Sequence, residues 1–177
     1  GDARSSAVLR SSIGVVTVVA LLVGVVLRFV ADSPLWLDEA QSVALADQAI
    51  GGLAEALRHD GHPPLFYVLL SAWSSVIGDT AFAVRALSGV LGLVALVLIG
   101  LVARRHADAR TSTLVLGIMA SSPFAVRYAT EARMYALLIV LLLLGHLAVD
   151  AAVRRPDVRR LAAVAVVVAL LLYTHYW

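Results

Sequence analysis

Cysteine and lysine are both missing from this sequence, and charge of any kind is scarce. With no cysteine among 177 residues, disulfides, a thiol nucleophile and thiolate metal sites are all excluded. Only 15% of the residues are charged and 61% are hydrophobic, whereas a soluble domain is about a quarter charged and about half apolar. Mean hydropathy is +0.92. All 14 basic residues are arginine, so the positions of the arginines carry more information than the net charge of +2. The balance is that of a polytopic membrane protein, and it offers no case for a nucleic-acid partner.

What the chain does have is long apolar runs, at about 12–30, 64–78, 81–103, 112–128, 132–150 and 161–177. Crossing a bilayer as a helix takes roughly 20 such residues. The first run is too long for the core of a signal peptide and others follow it, so it reads as an anchor. The chain opens on Gly-Asp and stops at Trp177 within an apolar run, which reads as the N-terminal part of a longer protein.

Arginine placement tests the topology, because short cytoplasmic loops are enriched in Lys and Arg. The richest loops are ARRHADAR (Arg104, Arg105, Arg110) and VRRPDVRR (Arg154, Arg155, Arg159, Arg160). Six spans set both loops opposite the N-terminus with its Arg4 and Arg10. Run 64–78 is the shortest, opens at Pro63-Pro64 and contains Ser71, Ser74 and Ser75, so it suits a helix at the interface or one re-entering the membrane. Removing it leaves an all-α bundle of about five transmembrane spans, 12–30, 81–103, 112–128, 132–150 and 161–177. Residues 1–11 and both Arg-rich loops are then cytoplasmic, and 31–80 form one long outer loop carrying interfacial helices.

That topology has a chemical consequence. Asp38, Glu39, His59, Asp60 and His62 of the outer loop share a face with the turn from Tyr128 to Arg133 and with the terminal YTHYW containing His175. The stretch DEAQSVALADQAIGGLAEALRH has an imperfect amphipathic stripe of Val43, Leu45, Ala46, Ala49, Ile50, Leu53, Ala56 and Leu57, as expected of a helix on the membrane surface with a break at Gly51-Gly52.

Each polar cluster also has a plain structural explanation. Acids in the first turn of a helix, such as Asp38 and Glu39, are favoured by its dipole. Proline suits the start of the helix after GHPP, and His62 there needs only a nearby backbone partner. Arg127 and Glu131, four residues apart, fit an ion pair, and Tyr128 and Tyr135 fit an aromatic belt. Arg85 is positioned to snorkel to the interface and His146 to hydrogen bond between helices. Pro123 after Ser121-Ser122 predicts a kink, and Gly89 and Gly92 predict close helix packing.

The ordered set of LWLDEA after the first span, then GHPPLFYVLL, then RYATEARMY resembles the N-terminal half of the polyprenyl-phosphate-sugar-dependent membrane glycosyltransferases. These are GT-C enzymes and include the protein O-mannosyltransferases and the aminoarabinose transferases (family 39-like). The resemblance runs from about residue 12 to 177. It implies a base at Asp38 with Glu39 beside it, and a second acid at Glu131, where many relatives carry Asp. The donor would be a polyprenyl-phosphate-linked sugar and the acceptor a lipid, glycan or protein hydroxyl. The enzyme would be a multi-pass inner or plasma membrane protein with its active site facing outside.

The chemistry such a reaction needs is available on that face. A carboxylate near a membrane suits a general base, and Arg suits a departing lipid phosphate. Arg85, Arg127, Arg133 and His62 are candidates for that role, and Tyr128, Tyr135 and His175 complete the expected substrate-binding set. Asp38, His62 and His175 also form a candidate divalent-metal set, although their spacing matches no standard motif. A transporter or flippase component using the same carboxylates is the alternative, but transporters hold key charges at mid-span, often within repeats, and here they gather at one face.

Overall fold

The computed structural model describes residues 2–48 and 63–175, with side chains from Ser12 onward. Among the described residues there are eight helices and no strand: α1 (Asp2–Leu27), α2 (Leu37–Ala46), α3 (Leu65–Ile77), α4 (Ala81–His106), α5 (Ala109–Ser121), α6 (Pro123–Ala129), α7 (Tyr135–Arg154) and α8 (Val158–Thr174). Four of them start on a side chain that accepts from an otherwise orphaned N–H. Thr80 takes Ala83 N, Asp108 takes Thr111 N, Ser122 takes Ala125 N and Asp157 takes Arg160 N. At its other end, α4 closes on Arg104, Arg105 and His106, cations set against the negative end of the helix dipole.

Helices α4 and α7 are long and apolar enough to cross a membrane, while the described apolar part of α1, Ser12–Leu27, and helix α3 are shorter. The expected span 112–128 is two helices, α5 and α6, parted at Ser122 just before Pro123. The amphipathic helix expected over 38–59 begins as α2 but ends at Ala46. Residues 49–62, with the expected Gly51-Gly52 break and His59, Asp60 and His62, lie outside the described residues.

Helix α3 has 13 residues, or about 20 Å of helix against a hydrocarbon layer of about 30 Å. It is shorter than that layer, and it packs closely on its neighbours. Phe66, Tyr67 and Leu70 are buried against Leu45 and Ala46 of α2, Val84 and Leu87 of α4, and Leu137 and Leu141 of α7. Trp73 Nε1 donates to Ala83 O at 2.8 Å, fixing the α3–α4 corner. Leu170 and Leu171 bring the C-terminal end of α8 to the same cluster.

The α1–α5 contact is made by small residues. Burying apolar area drives nothing where the surroundings are equally apolar, so close backbone approach must supply the contact energy. Gly24 lies against the carbonyl of Ala120, and Gly117 against Thr17. Thr17 Oγ1 adds a hydrogen bond to Thr113 O at 3.3 Å. Gly92 of α4 similarly faces Ala129 and Arg28, and Gly89 faces Phe29, in line with the close packing expected at both glycines.

Arg28 accounts for how the α5–α6 break is tolerated. Pro123 has no N–H to offer Met119 O, and the carbonyls at the end of α5 are left open. Arg28, just beyond α1 and only 2% exposed, donates Nη2 to Met119 O at 3.2 Å and Nη1 to Ala120 O at 2.9 Å and Gly24 O at 2.7 Å. At the far end of α4, His106 Nε2 lies 3.0 Å from His146 Nε2 of α7, the interhelical hydrogen bond expected of His146.

Gly24→Ala should therefore lower the thermal stability of the purified protein by about 1–3 kcal/mol, the usual range for overpacking, since its Cβ would meet backbone rather than a movable side chain. Gly14→Ala, with open space around it, should be neutral or slightly stabilising. Equal effects of the two substitutions would contradict the close-contact account of the α1–α5 seam.

Candidate functional site

Helix α2 starts at Leu37, so Asp38 and Glu39 occupy its second and third positions, where acids are held by free N–H groups and by the dipole. A helical step of about 100° turns these neighbours in different directions. Glu39 goes inward and is fully buried; the side chain of Asp38 stays 38% exposed.

Glu39 is saturated. Its Oε1 accepts from Arg85 Nε at 2.8 Å and from Ala132 N at 2.9 Å. Its Oε2 accepts from Arg85 Nη2 at 2.6 Å and from Trp36 N at 3.2 Å, the last being the return half of a capping box. Arg85 is equally occupied: beyond Glu39, its Nη1 donates to Ala31 O and Ser33 O at 3.2 and 2.7 Å, and its Nη2 to Pro34 O at 3.1 Å. All five N–H donors of the guanidinium are used. Arg85 does not snorkel as its position suggested: it turns inward, because a buried carboxylate and three carbonyls offer more than the interface does. One ion pair thus ties the 31–36 segment, α2, α4 and the 131–133 turn together.

Burial pushes the Glu39 carboxyl toward its neutral form, but the hydrogen bonds from Arg85, Ala132 and Trp36 and the charge of Arg85 outweigh it and hold the group below its ordinary value near 4.5.

Asp38 meets the same turn from its other side. Arg133, 9% exposed, sets Nη2 at 3.5 Å from Asp38 Oδ2 and Nη1 at 3.4 Å from Asp38 O, while Ser42 Oγ donates to that carbonyl at 2.8 Å. The guanidinium carbon of Arg133 lies 5.9 Å from the Tyr135 ring centre, within cation–π range. Tyr135 in turn lies 4.7 Å from Tyr128, and Tyr128 4.7 Å from Phe124, centre to centre. Glu131 pairs with Arg127 at 2.9 Å, the ion pair its spacing suggested.

The structure therefore brings Asp38, Glu39, Arg85, Glu131, Arg133, Tyr128 and Tyr135 around one turn, from elements up to 95 residues apart. His175 follows α8, its N–H donating to Leu171 O at 2.9 Å. His62 lies outside the described residues, and with it one member of the expected metal set. No group of three His, Asp or Glu side chains suited to a metal occurs among the described residues. Chemically, Glu39 has no lone pair to spare, whereas Asp38 has a partly open carboxylate with a single long ion pair and a buried cation beside it. Such a carboxylate can accept a proton from a hydroxyl.

Sequence reasoning missed Arg28 altogether. Its signal was Pro123, which announces a carbonyl in need of a donor but not where the donor lies along the chain.

A family model described as dolichyl-phosphate-mannose-protein mannosyltransferase matches residues 61–177. No curated protein and no solved structure matches the chain. The matched stretch holds Arg85, Tyr128, Glu131, Arg133, Tyr135 and His175 but begins after Asp38 and Glu39; the hydrogen bonds from Arg85, Ala132 and Arg133 connect those two acids to it.

The stability contributed by Glu39 has a defined pH signature. A carboxyl whose folded value is depressed stabilises above its unfolded value and loses that contribution as pH falls through the folded one. Thermal unfolding of wild type against Glu39→Gln should show the variant much less stable at pH 7, by a part of the ~3–5 kcal/mol that breaking a buried pair costs. The gap should begin to narrow as pH drops below about 4.5, where the unfolded carboxyl takes up its proton, and should be lost only as pH falls through the lower folded value, where the native carboxyl also becomes neutral. A gap independent of pH would show that the Glu39 charge is not what Arg85 requires.

Proposed function

The chain belongs to the dolichyl-phosphate-mannose-protein mannosyltransferase family, and on that premise we propose that it acts as a polyprenyl-phosphate-sugar-dependent glycosyltransferase that delivers a sugar to a hydroxyl acceptor at the outer face of the membrane. The observation that carries this reading is the pairing of a saturated acid with an available one. Glu39 is locked by Arg85 and holds α2 against the 131–133 turn, and Asp38, carried on the same helical turn, is left partly exposed beside Arg133.

The division of labour follows from this geometry. Asp38 takes the proton of the acceptor hydroxyl as its oxygen attacks the anomeric carbon from the face opposite the leaving group. The anomeric carbon–oxygen bond to the lipid phosphate breaks, and the phosphate departs with the bonding pair. Attack from the opposite face inverts the anomeric configuration. The developing negative charge is met by Arg133, whose desolvated guanidinium acts at short range more strongly than it would in water. Glu39 and Arg85 are positioning residues in this scheme. Glu131 orients Arg127 at the rim as a second cation for the donor, and Tyr128 and Tyr135 provide an aromatic wall.

A five-span arrangement supports the same reading. It treats α1, α4, the broken α5–α6 pair, α7 and α8 as spans, with α2 and α3 between the first two. It puts the Arg104–Arg110 and Arg154–Arg160 loops together on the cytoplasmic side and the Asp38 turn on the outside.

Asp38→Asn should cut transfer from a radiolabelled polyprenyl-phosphate sugar by about 10²–10⁴-fold, the usual worth of a positioned base. It should lower the unfolding temperature only modestly, since the pair is long at 3.5 Å and Asp38 itself stays 38% exposed. Wild-type turnover by this variant would remove Asp38 as the base. Solute uptake into proteoliposomes without release of polyprenyl phosphate would support the transporter alternative.

A further inference from the structure

One open concavity lies away from the Asp38 turn. It has a volume of about 370 Å³ and is lined by Arg105, Asp150, Ala151, Arg154, Arg155 and Arg160. Arg85 and Arg105 stand on the same helix α4, 20 residues apart, so about 30 Å separates this pocket from the Glu39–Arg85 pair. The two helices that are long enough to cross a membrane, α4 and α7, both end here, and α8 begins here.

The pocket holds four guanidinium groups against one carboxylate. Asp150 is shared, pairing with Arg154 at 2.9 Å and with Arg105 at 3.6 Å. Arg160 is fixed in place by Arg155 O at 2.6 Å and by Asp157 at 3.3 Å. Arg155 makes no ion pair among the described residues. Arg105 and Arg154 remain half or more exposed, at 50% and 64%. Planar guanidiniums converging on an open pocket with excess positive charge suit a phosphate-bearing group, which accepts bidentate pairs from several at once.

Exposed apolar side chains adjoin the lining arginines along the chain. Val153, Val158 and Leu161, neighbours in sequence of the lining arginines, are 78%, 82% and 57% exposed. Exposed aliphatic side chains beside a cationic pocket at the end of two apolar helices match a molecule that is anionic at one end and hydrocarbon at the other. A soluble phosphate needs no such apolar neighbours.

We propose that this pocket binds the phosphate headgroup of an anionic phospholipid of the adjoining leaflet, with its acyl chains along Val153, Val158 and Leu161. The site is independent of the transferase site and uses none of its residues.

The test is native mass spectrometry of the protein released from nanodiscs of phosphatidylcholine mixed with phosphatidylglycerol, combined with unfolding midpoints in each lipid. Wild type should retain phosphatidylglycerol in preference to phosphatidylcholine and unfold at a higher temperature in its presence. The double variant Arg154→Gln with Arg155→Gln should bind it about 30-fold more weakly, from roughly 1 kcal/mol for each arginine, while unfolding normally in phosphatidylcholine alone. Asp150→Asn, which removes the competing carboxylate, should strengthen retention. Equal retention of the two lipids by wild type, or undiminished preference in the double variant, would overturn the proposal. So would displacement of the lipid by millimolar inorganic phosphate, since that would make the pocket a soluble-anion site.

Discussion

The buried pairing of Glu39 with Arg85 is the interaction on which the rest of the candidate site depends. Taking both charges out of water costs several kcal/mol per ion, and attraction repays it only if every remaining lone pair and proton is satisfied. Here the condition is met: four hydrogen bonds on the carboxylate and five on the guanidinium. The partners come from the 31–36 segment, α2, α4 and the turn before α7, so satisfying one pair of charges dictates how four parts of the chain meet. Asp38 inherits its position from that arrangement. Its own contacts are looser, a 3.5 Å ion pair to Arg133 on a side chain that stays 38% exposed, which suits the proton exchange proposed for it.

A second constraint operates deeper in the bundle. In apolar surroundings an unpaired carbonyl has no water to turn to; Pro123 leaves Met119 O without a donor, and the end of α5 leaves Ala120 O open beside it. Arg28 answers both from just beyond α1, and Gly92 of α4 gives its side chain room to pass. Arginines among the described residues therefore play distinct parts. Arg28 and Arg85 are buried and serve backbone and carboxylate, Arg133 lies beside the partly exposed carboxylate of Asp38, and the group at the end of α4, the end of α7 and the start of α8 is more exposed.

Much of this was legible in the sequence. Hydrophobic runs gave helices close to those observed at 81–103, 132–150 and 161–177, because long apolar stretches in a low-charge chain have few other ways to satisfy their backbone. The Ser121-Ser122-Pro123 break, the Arg127–Glu131 pair and the close packing at Gly89 and Gly92 follow from local rules of spacing and size. Arginine parity brought the Asp38–Glu39 pair and the Tyr128–Arg133 turn to one face, and the structure puts them in hydrogen-bonding contact. What could not be read was partnership across long separations. Nothing in LWLDEA tells Asp38 from Glu39, because which of two adjacent acids turns inward depends on where Arg85 arrives from 46 residues away. For the same reason Arg85 looked like an interfacial cation and Arg28 drew no notice at all. The amphipathic stripe begins as α2, which ends at Ala46, and its continuation from Ala49 lies outside the described residues.

The central claim is that Glu39 and Arg85 act as one structural unit, and a double-mutant cycle on unfolding free energy tests it most directly. Glu39→Ala and Arg85→Ala should each destabilise the protein by about 3–5 kcal/mol, because each strands a buried charge. The double variant should lose little more than either single one, giving a coupling energy of at least about 2 kcal/mol. Losses that simply add, with coupling near zero, would mean that the two residues stabilise the fold separately and that the site is held together by something else.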